Sequence, residues 1–337
     1  MNTQAATASA PPVQQSSRHA ASQRLKASLT DGSVVIGLVT LVLFLVSTAA
    51  IPGFATLQNL RALFLSVALV GIAAIGLSII TIVGKMFSLS VSAVIAVSTI
   101  VFASTLQYGA WTAIIAAVLF GAATGAAQGF LVGKLGTDPI VTTIAAAAVL
   151  TGLAQIFTGG LNIASQGDAG VFRQSLFGVV PFQVFIFFLV AAIAWWCHRY
   201  TVIGRKVTLV GLNEKAALVS GQRSWPLVLL AFVVSGTLAG LAGGLLASEA
   251  GQGNLQLGAT FGFDAITAVV VGGISIKGGL GNPLGAAVGA VLVGLLGNSL
   301  ILLGFSYEIQ LIFKGVLVLL AVVGTGIATN RQSGRKR

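Results

Sequence analysis

ALFLSVALVGIAAIGLSIITIV, residues 62–83, is a run of 22 residues without a single charge. A transmembrane α-helix needs about 20 consecutive apolar residues. In lipid every backbone N–H and C=O must also be satisfied within the structure, which an α-helix achieves along its own length. The run therefore reads as a membrane-crossing helix, and it is one of ten. The others cover about 34–51, 89–105, 111–133, 140–158, 180–197, 226–248, 264–276, 283–303 and 309–328. The expected fold class is all-α: a polytopic transmembrane helix bundle of about ten spans. The runs at Leu89 and Asp264 are short for a full crossing and border stretches rich in Gly and Ser, so one or two broken or re-entrant helices are expected.

Composition agrees. Of 337 residues, 56% are hydrophobic and only 7% charged, whereas a soluble domain carries about 25% charged residues. A soluble enzyme is excluded. The lone Cys197 cannot form an internal disulfide, and two histidines, His19 and His198, are too few for a multi-ligand metal site. No cofactor is expected on this chain. The first apolar run starts too late for an ordinary cleaved signal peptide and is expected to be retained. Residues 1–30, rich in Ala, Ser and Gln, read as a disordered cytoplasmic tail, 31–329 as the transmembrane domain, and 330–337 as a basic cytoplasmic tail.

The net charge of +11 raises the question of nucleic acid, and the positions of the charges answer it. With both termini cytoplasmic, Arg18, Arg24, Lys26, Lys85, Lys134, Arg199, Arg205, Lys206, Lys215, Arg223, Lys277, Arg331, Arg335, Lys336 and Arg337 all lie inside. That is fifteen of eighteen basic residues. Arg61 and Arg173 lie outside and Lys314 falls within the last helix. This is the asymmetry that the positive-inside rule describes. The residues are spread over separate loops, not gathered on one nucleic-acid-binding face.

Small residues recur every fourth position at Gly121, Gly125, Gly129 and Gly133, at Gly236, Gly240 and Gly244, and at Gly285 and Gly289. Such stripes let helix backbones approach closely, either inside one bundle or at a subunit interface or pathway wall. Two apolar stretches are interrupted in a similar way, at Gly84–Ser88 and at 272–283. Paired interruptions in two halves of a chain point to a transport pathway, although Gly and Ser are also ordinary in membrane helices. Of the seven acidic residues, Asp31, Asp138, Asp168, Glu214 and Glu249 are expected in tails or loops, and Asp264 and Glu308 near helix ends. This scarcity weakens an ion-driven transporter, while a channel stays compatible with it.

No Gly-rich, Lys, Ser/Thr loop that could cradle nucleotide phosphates is present, so any ATP must be bound by another chain. The longest inner loop, 199–224, offers that chain a docking element. In it Asn213 can cap a short helix, Glu214 complements its dipole, and Gly221 suits a left-handed stop. A plain surface helix between spans would look the same.

From Gly204-Arg205-Lys206-Val207 through Gly211-Leu212-Asn213-Glu214-Lys215-Ala216-Ala217 to Ser220-Gly221, the chain resembles the cytoplasmic signature of permeases in ribose-type ABC importers. The segments 238–243, 264–273 and 277–285, and earlier 139–160, are similar to the same family in order and spacing, and the resemblance covers roughly 57–323. It implies a membrane subunit that pairs with a second copy and sits on cytoplasmic ABC ATPase modules, which bind the ATP and Mg. Cargo would come from a periplasmic or lipid-anchored substrate-binding protein, and the location would be the bacterial inner membrane. The resemblance assigns ATPase coupling to Gly204, Arg205, Gly211, Asn213, Glu214, Ala216, Ala217 and Gly221.

One departure stands out. The family often has Gly-Gly-Ile-Asp-Leu-Ser-Val-Gly, where this chain has Ser88 at the Asp and Ser92 at the second Gly. A row of hydroxyls offers neutral hydrogen bonds in place of a charge. Candidate pathway residues are Ser88, Ser90 and Ser92, whose hydroxyls either face cargo or bond back to their own helix, with Asp264 at the start of the short run 264–276 and Gly272 and Gly273 at the second interruption. A monosaccharide is the first expectation for cargo, and a nucleoside or other small polar solute the alternative. The competing classes are an ATP-independent channel or facilitator and a non-transporting scaffold.

Overall fold

Asn, Asp, Thr and Pro placed just before the apolar runs set where the helices begin. The structure is a computed structural model that describes residues 32–176 and 180–334. The tail expected at 1–30 lies outside the described residues, as do 335–337. Helix α1 spans Gly32–Ala50 and α2 Leu57–Ile82, whose cap Thr56 accepts from the Asn59 N–H. Next come α3, Val91–Thr105, prolonged by a 3-10 turn at Leu106–Tyr108, and α4, Ala110–Lys134. In α5, Pro139–Thr158, Asp138 caps the first turn and Pro139 opens it. A connecting region holds β1 (Ile163–Ala164), α6 (Gly170–Arg173), β2 (Ser175–Leu176) and β3 (Val180–Pro181). It leads to α7 (Phe182–Tyr200), α8 (Val202–Leu212), α9 (Glu214–Val219) and α10 (Trp225–Ala250). Strand β4 (Gln252–Gly253), α11 (Phe261–Val271), α12 (Pro283–Leu302) and α13 (Tyr307–Gly334) complete the order. Strand β1 pairs antiparallel with β4, and β2 with β3.

All ten apolar runs fall on helices. Seven helices among the described residues are long and apolar enough to cross a membrane: α2, α3 with its 3-10 turn, α4, α5, α7, α10 and α12. The Leu89 run is thus a full-length helix. Its interruption lies before it, at 84–90, where Gly84 and Met86 take positive φ. The run at Asp264 does form a short helix. Glu249, expected in a loop, lies in the last turn of α10, because the apolar pattern continues beyond it to Ala250.

Helix α2 is buried nearly all round from Val67 to Ile82, and it and α10 form the centre of the bundle. The glycine stripes explain how. Gly121 and Gly125 of α4 leave no room for a Cβ against the carbonyls of Gly236 and Phe232 in α10, and Gly240 none against the Ala117 carbonyl. Of the two readings open for these stripes, tight packing within the bundle is the one realised. Gly272 at the end of α11 fits Gly285 of α12 in the same way, and Gly289 fits Ala268. Helices α5 and α7 are mostly exposed and form the outer wall.

The contacts define two ends. At one, Lys85 meets Glu214 and the Gly279 N–H meets the Ile82 carbonyl. At the other, Asn59 and Asn298 exchange amide hydrogen bonds of 3.0 and 2.8 Å, and Ser47 lies 2.9 Å from Ser299. After α10 the chain turns at β4 and runs back along α3 without forming a helix. Gly253 abuts Thr99, Gly258 abuts Ala96 and Gly262 abuts Ser92. Helix α11 then completes the passage to the first end, so this span is half turn-rich, non-helical leader and half helix. It is short because its outer half is bound to α3 by side chains: the Asn254 N–H donates to Thr99 Oγ1 at 3.1 Å, and Thr99 donates to the Asn254 carbonyl at 3.2 Å.

Candidate functional site

The short helix after Asn213 forms as its sequence suggests. Asn213 Oδ1 accepts the Ala216 N–H at 3.0 Å, α9 runs for six residues, and Gly221 closes it with φ +77°. Helix α8 before it is capped by Thr201, which accepts the Gly204 N–H. Gly204 is required there because a Cβ would strike the His198 carbonyl. Ala217 is buried and holds α9 to the bundle, while Leu218 is 53% and Val219 90% exposed. Arg205 and Ala216 also face outward.

Three separate loops meet beneath this helix. Gly211, next to last in α8, leaves no room for a Cβ against the Ile82 carbonyl and the Gly279 N–H, and Gly278 lies against the Gly84 backbone. The two interrupted stretches and the inner loop are therefore one unit. Lys85, in the first interruption, donates to Glu214 Oε2 at 3.0 Å. Burial pushes the Glu214 carboxyl upward, but hydrogen bonds from Lys85 and Ser224 and the Lys85 charge outweigh it, leaving the group below its ordinary value. Lys85 was legible in the sequence only as the one charge inside the first interruption. Its partner 129 positions away was not.

Of the pathway candidates, Ser88 and Ser90 are buried and hydrogen-bonded to each other at 2.9 Å. Ser90 donates to Gln128 Oε1 of α4 at 2.8 Å. The Leu89 N–H donates to Thr143 Oγ1 of α5 at 3.1 Å. A cavity of about 10 Å³, lined also by Ser235, adjoins Ser88, Ser90 and Gln128. It has room for about one water molecule and nothing larger. Ser92 faces Gly262 at the start of α11. Gly272 is wedged against α12, and Gly273 makes the turn after α11 at φ +80°. Gln128 carried no signal beyond being the one amide on a glycine-striped helix.

Asp264 is the surprise. It stands in the first turn of α11 and accepts from Lys314 Nζ at 2.7 Å, with side chains only 15% and 7% exposed. The antiparallel contacts Gly272 with Gly285 and Ala268 with Gly289 carry Asp264 level with Val293, midway along α12. The sequence placed Asp264 near a helix end and Lys314 inside a helix, and both hold. The helix end, however, lies in the middle of the bundle.

Fold and site define a polytopic α-helical membrane protein with a short, partly exposed helix presented at one end. Residues 59–322 match the family described as branched-chain amino acid transport system / permease component, and the chain belongs to that family. The ribose import permease protein RbsC of Escherichia coli strain K12 is 33% identical, covering 88% of this chain and 94% of that one. RbsC of Bacillus subtilis strain 168 is 32% identical over 81% and 86% of the two chains. The L-arabinose ABC transporter permease protein AraH of Azospirillum brasilense is 30% identical over 89% of each.

Proposed function

We propose that this chain is the membrane-spanning, non-catalytic subunit of an ATP-driven, binding-protein-dependent importer, and that it forms the route of a monosaccharide across the bacterial inner membrane. The observation that carries the reading is α9. A six-residue helix is too short to be stable alone in water, yet here it is pinned by Ala217 and Glu214 and holds Leu218 and Val219 out from the bundle. Together with the exposed Leu209 and Leu212 of α8, they give this end an apolar surface that suits a protein contact. A cytoplasmic ABC ATPase with its ATP and Mg fits, since this chain has no phosphate-cradling loop of its own.

With that end in the cytoplasm, Lys85, Lys134, Arg199, Arg205, Lys206, Lys215, Arg223 and Lys277 all lie inside, in accord with the positive-inside rule. The chain then crosses ten times, with both termini cytoplasmic. A second permease copy and a periplasmic or lipid-anchored binding protein complete the assembly. Gly204, Arg205, Gly211, Asn213, Glu214, Ala216, Ala217 and Gly221 form the coupling element. Closure of the ATPase pushes α9, and the Lys85–Glu214 pair carries the movement into the 84–90 interruption, where Ser88, Ser90 and Gln128 part to admit cargo.

Sugar is favoured over the amino acids in the family's description for two reasons. Relatives similar along most of the chain are named for ribose and arabinose. The polar cluster at the interruption is built of hydroxyls and an amide, which suit a neutral polyol. The test is uptake of radiolabelled ribose into proteoliposomes holding the permease, its ATPase and its binding protein. Uptake that requires ATP and both partners is expected. Uptake without the ATPase would instead make the chain a facilitator, and competition by nucleosides but not by pentoses would move the cargo class.

A further inference from the structure

The leader of α11 is irregular backbone set deep along the bundle. Non-helical backbone at membrane depth occurs only where it is buried in protein or lines a water-filled cavity, because lipid offers no hydrogen bonds. Residues 254–260 run alongside Thr99 and Ala96 of α3, well within the length of that helix, and they are not helical. One side of the leader is satisfied: Asn254 Oδ1 accepts the Gln256 and Leu257 N–H groups, each at 2.9 Å, and Gly258 is pressed on α3. The other side is open, with Gln256 and Ala259 exposed. A polar side chain on irregular backbone at this depth needs water.

Immediately after the leader stands the buried Lys314–Asp264 pair. Charges inside a bundle are costly and mark functional positions, and a buried pair is a poor source of stability, since apolar residues of similar volume often do as well. Its use here is geometric. Helix α13 rests mainly on α11, and its outer face, with Ile312, Val316, Leu319 and Leu320, is exposed and apolar. The pair fastens this peripheral helix to the first turn of the half-helix, just where the leader ends. We propose that the leader 254–260 is a wall of the translocation pathway facing water, and that Lys314–Asp264 positions it.

This rests on the importer reading for the word pathway, but its test does not need transport. In a Cys197→Ser background, Ala259→Cys is reacted in membrane vesicles with a water-soluble maleimide. Leu189→Cys, on the exposed apolar face of α7, serves as the lipid-level reference. Labelling of Ala259→Cys at least tenfold faster than the reference is expected. Equal, slow labelling, or an oxidative cross-link between copies through Ala259→Cys in place of labelling, would overturn the wall.

Asp264→Asn with Lys314→Met is then added to Ala259→Cys. The double change leaves no unpaired charge, so the chain still folds. It should alter the labelling rate severalfold and lower ATP-driven uptake. An unaltered labelling rate in the folded double variant would overturn the positioning role. Failure of the parent protein to take up any sugar with ATP would sink the importer reading alone, leaving the labelling result to stand.

Discussion

The Gly279 N–H donates to the carbonyl of Ile82 at 2.8 Å. That carbonyl belongs to the last turn of α2, where no intrahelical donor remains, so a residue almost 200 positions away supplies the missing partner. Gly279 has φ +74°, a conformation that Gly adopts freely and other residues rarely do. Gly211 sits beside the same bond, with no room for a Cβ. Through these contacts the second interruption caps the helix that leads into the first.

Gly211→Val should therefore disturb three loops together. Overpacking costs about 1–3 kcal/mol and at times more, here at the upper end because the clash is with backbone, and the loss is expected in coupling as well as stability. The check is a lowered melting temperature of the purified permease, accompanied by a severalfold fall in uptake. Normal values for both would separate the three loops.

Glu214→Gln removes one side of a half-exposed ion pair, worth about 0–1 kcal/mol at most in such a setting. The fold should survive with a melting temperature near that of the parent protein, while ATP hydrolysis no longer tracks transport. Lys85→Met should give the same phenotype. Combining the two should be no worse than either alone, as measured by sugar moved per ATP hydrolysed.

The same pair sets a pH dependence. Because the folded Glu214 carboxyl lies below its ordinary value, its contribution is fully present above the unfolded value of about 4.3. It is lost as pH falls through the lower folded value. Coupling in the parent protein should thus be flat from pH 8 to about 5, and any loosening of α9 should begin only in acid below that range. Amide exchange in α9, followed against pH, reports it, and Glu214→Gln should abolish the transition.

Val219→Asp places a charge on the exposed tip of α9 without touching the bundle. Expected are unchanged expression and melting temperature, with loss of co-purifying ATPase. An undiminished complex would put the ATPase contact elsewhere on this end.

Gly125→Leu drives a side chain into the Phe232 carbonyl at the centre of the α4–α10 contact. No rotamer avoids backbone at that distance, so folded protein should be nearly absent. By contrast Gly152→Leu, in open space on α5, should be tolerated. Size-exclusion profiles of the two variants give the comparison.

The apolar runs by themselves determined that the chain is a helical membrane bundle, and they located its helices, because lipid leaves the backbone almost no alternative to a helix. Local chemistry was equally legible: Asn213 caps α9 and Gly221 stops it because capping depends on neighbours three or four residues apart. Spacing could not say what the glycine stripes face, nor that Lys85 reaches Glu214, Ser90 reaches Gln128 and Lys314 reaches Asp264. Those partners lie 38 to 129 positions apart, and only the packing of whole helices brings them within hydrogen-bond range. The depth of Asp264 was hidden for the same reason. A carboxylate at a helix end looks peripheral until the tertiary structure shows that the helix begins in the middle of the bundle.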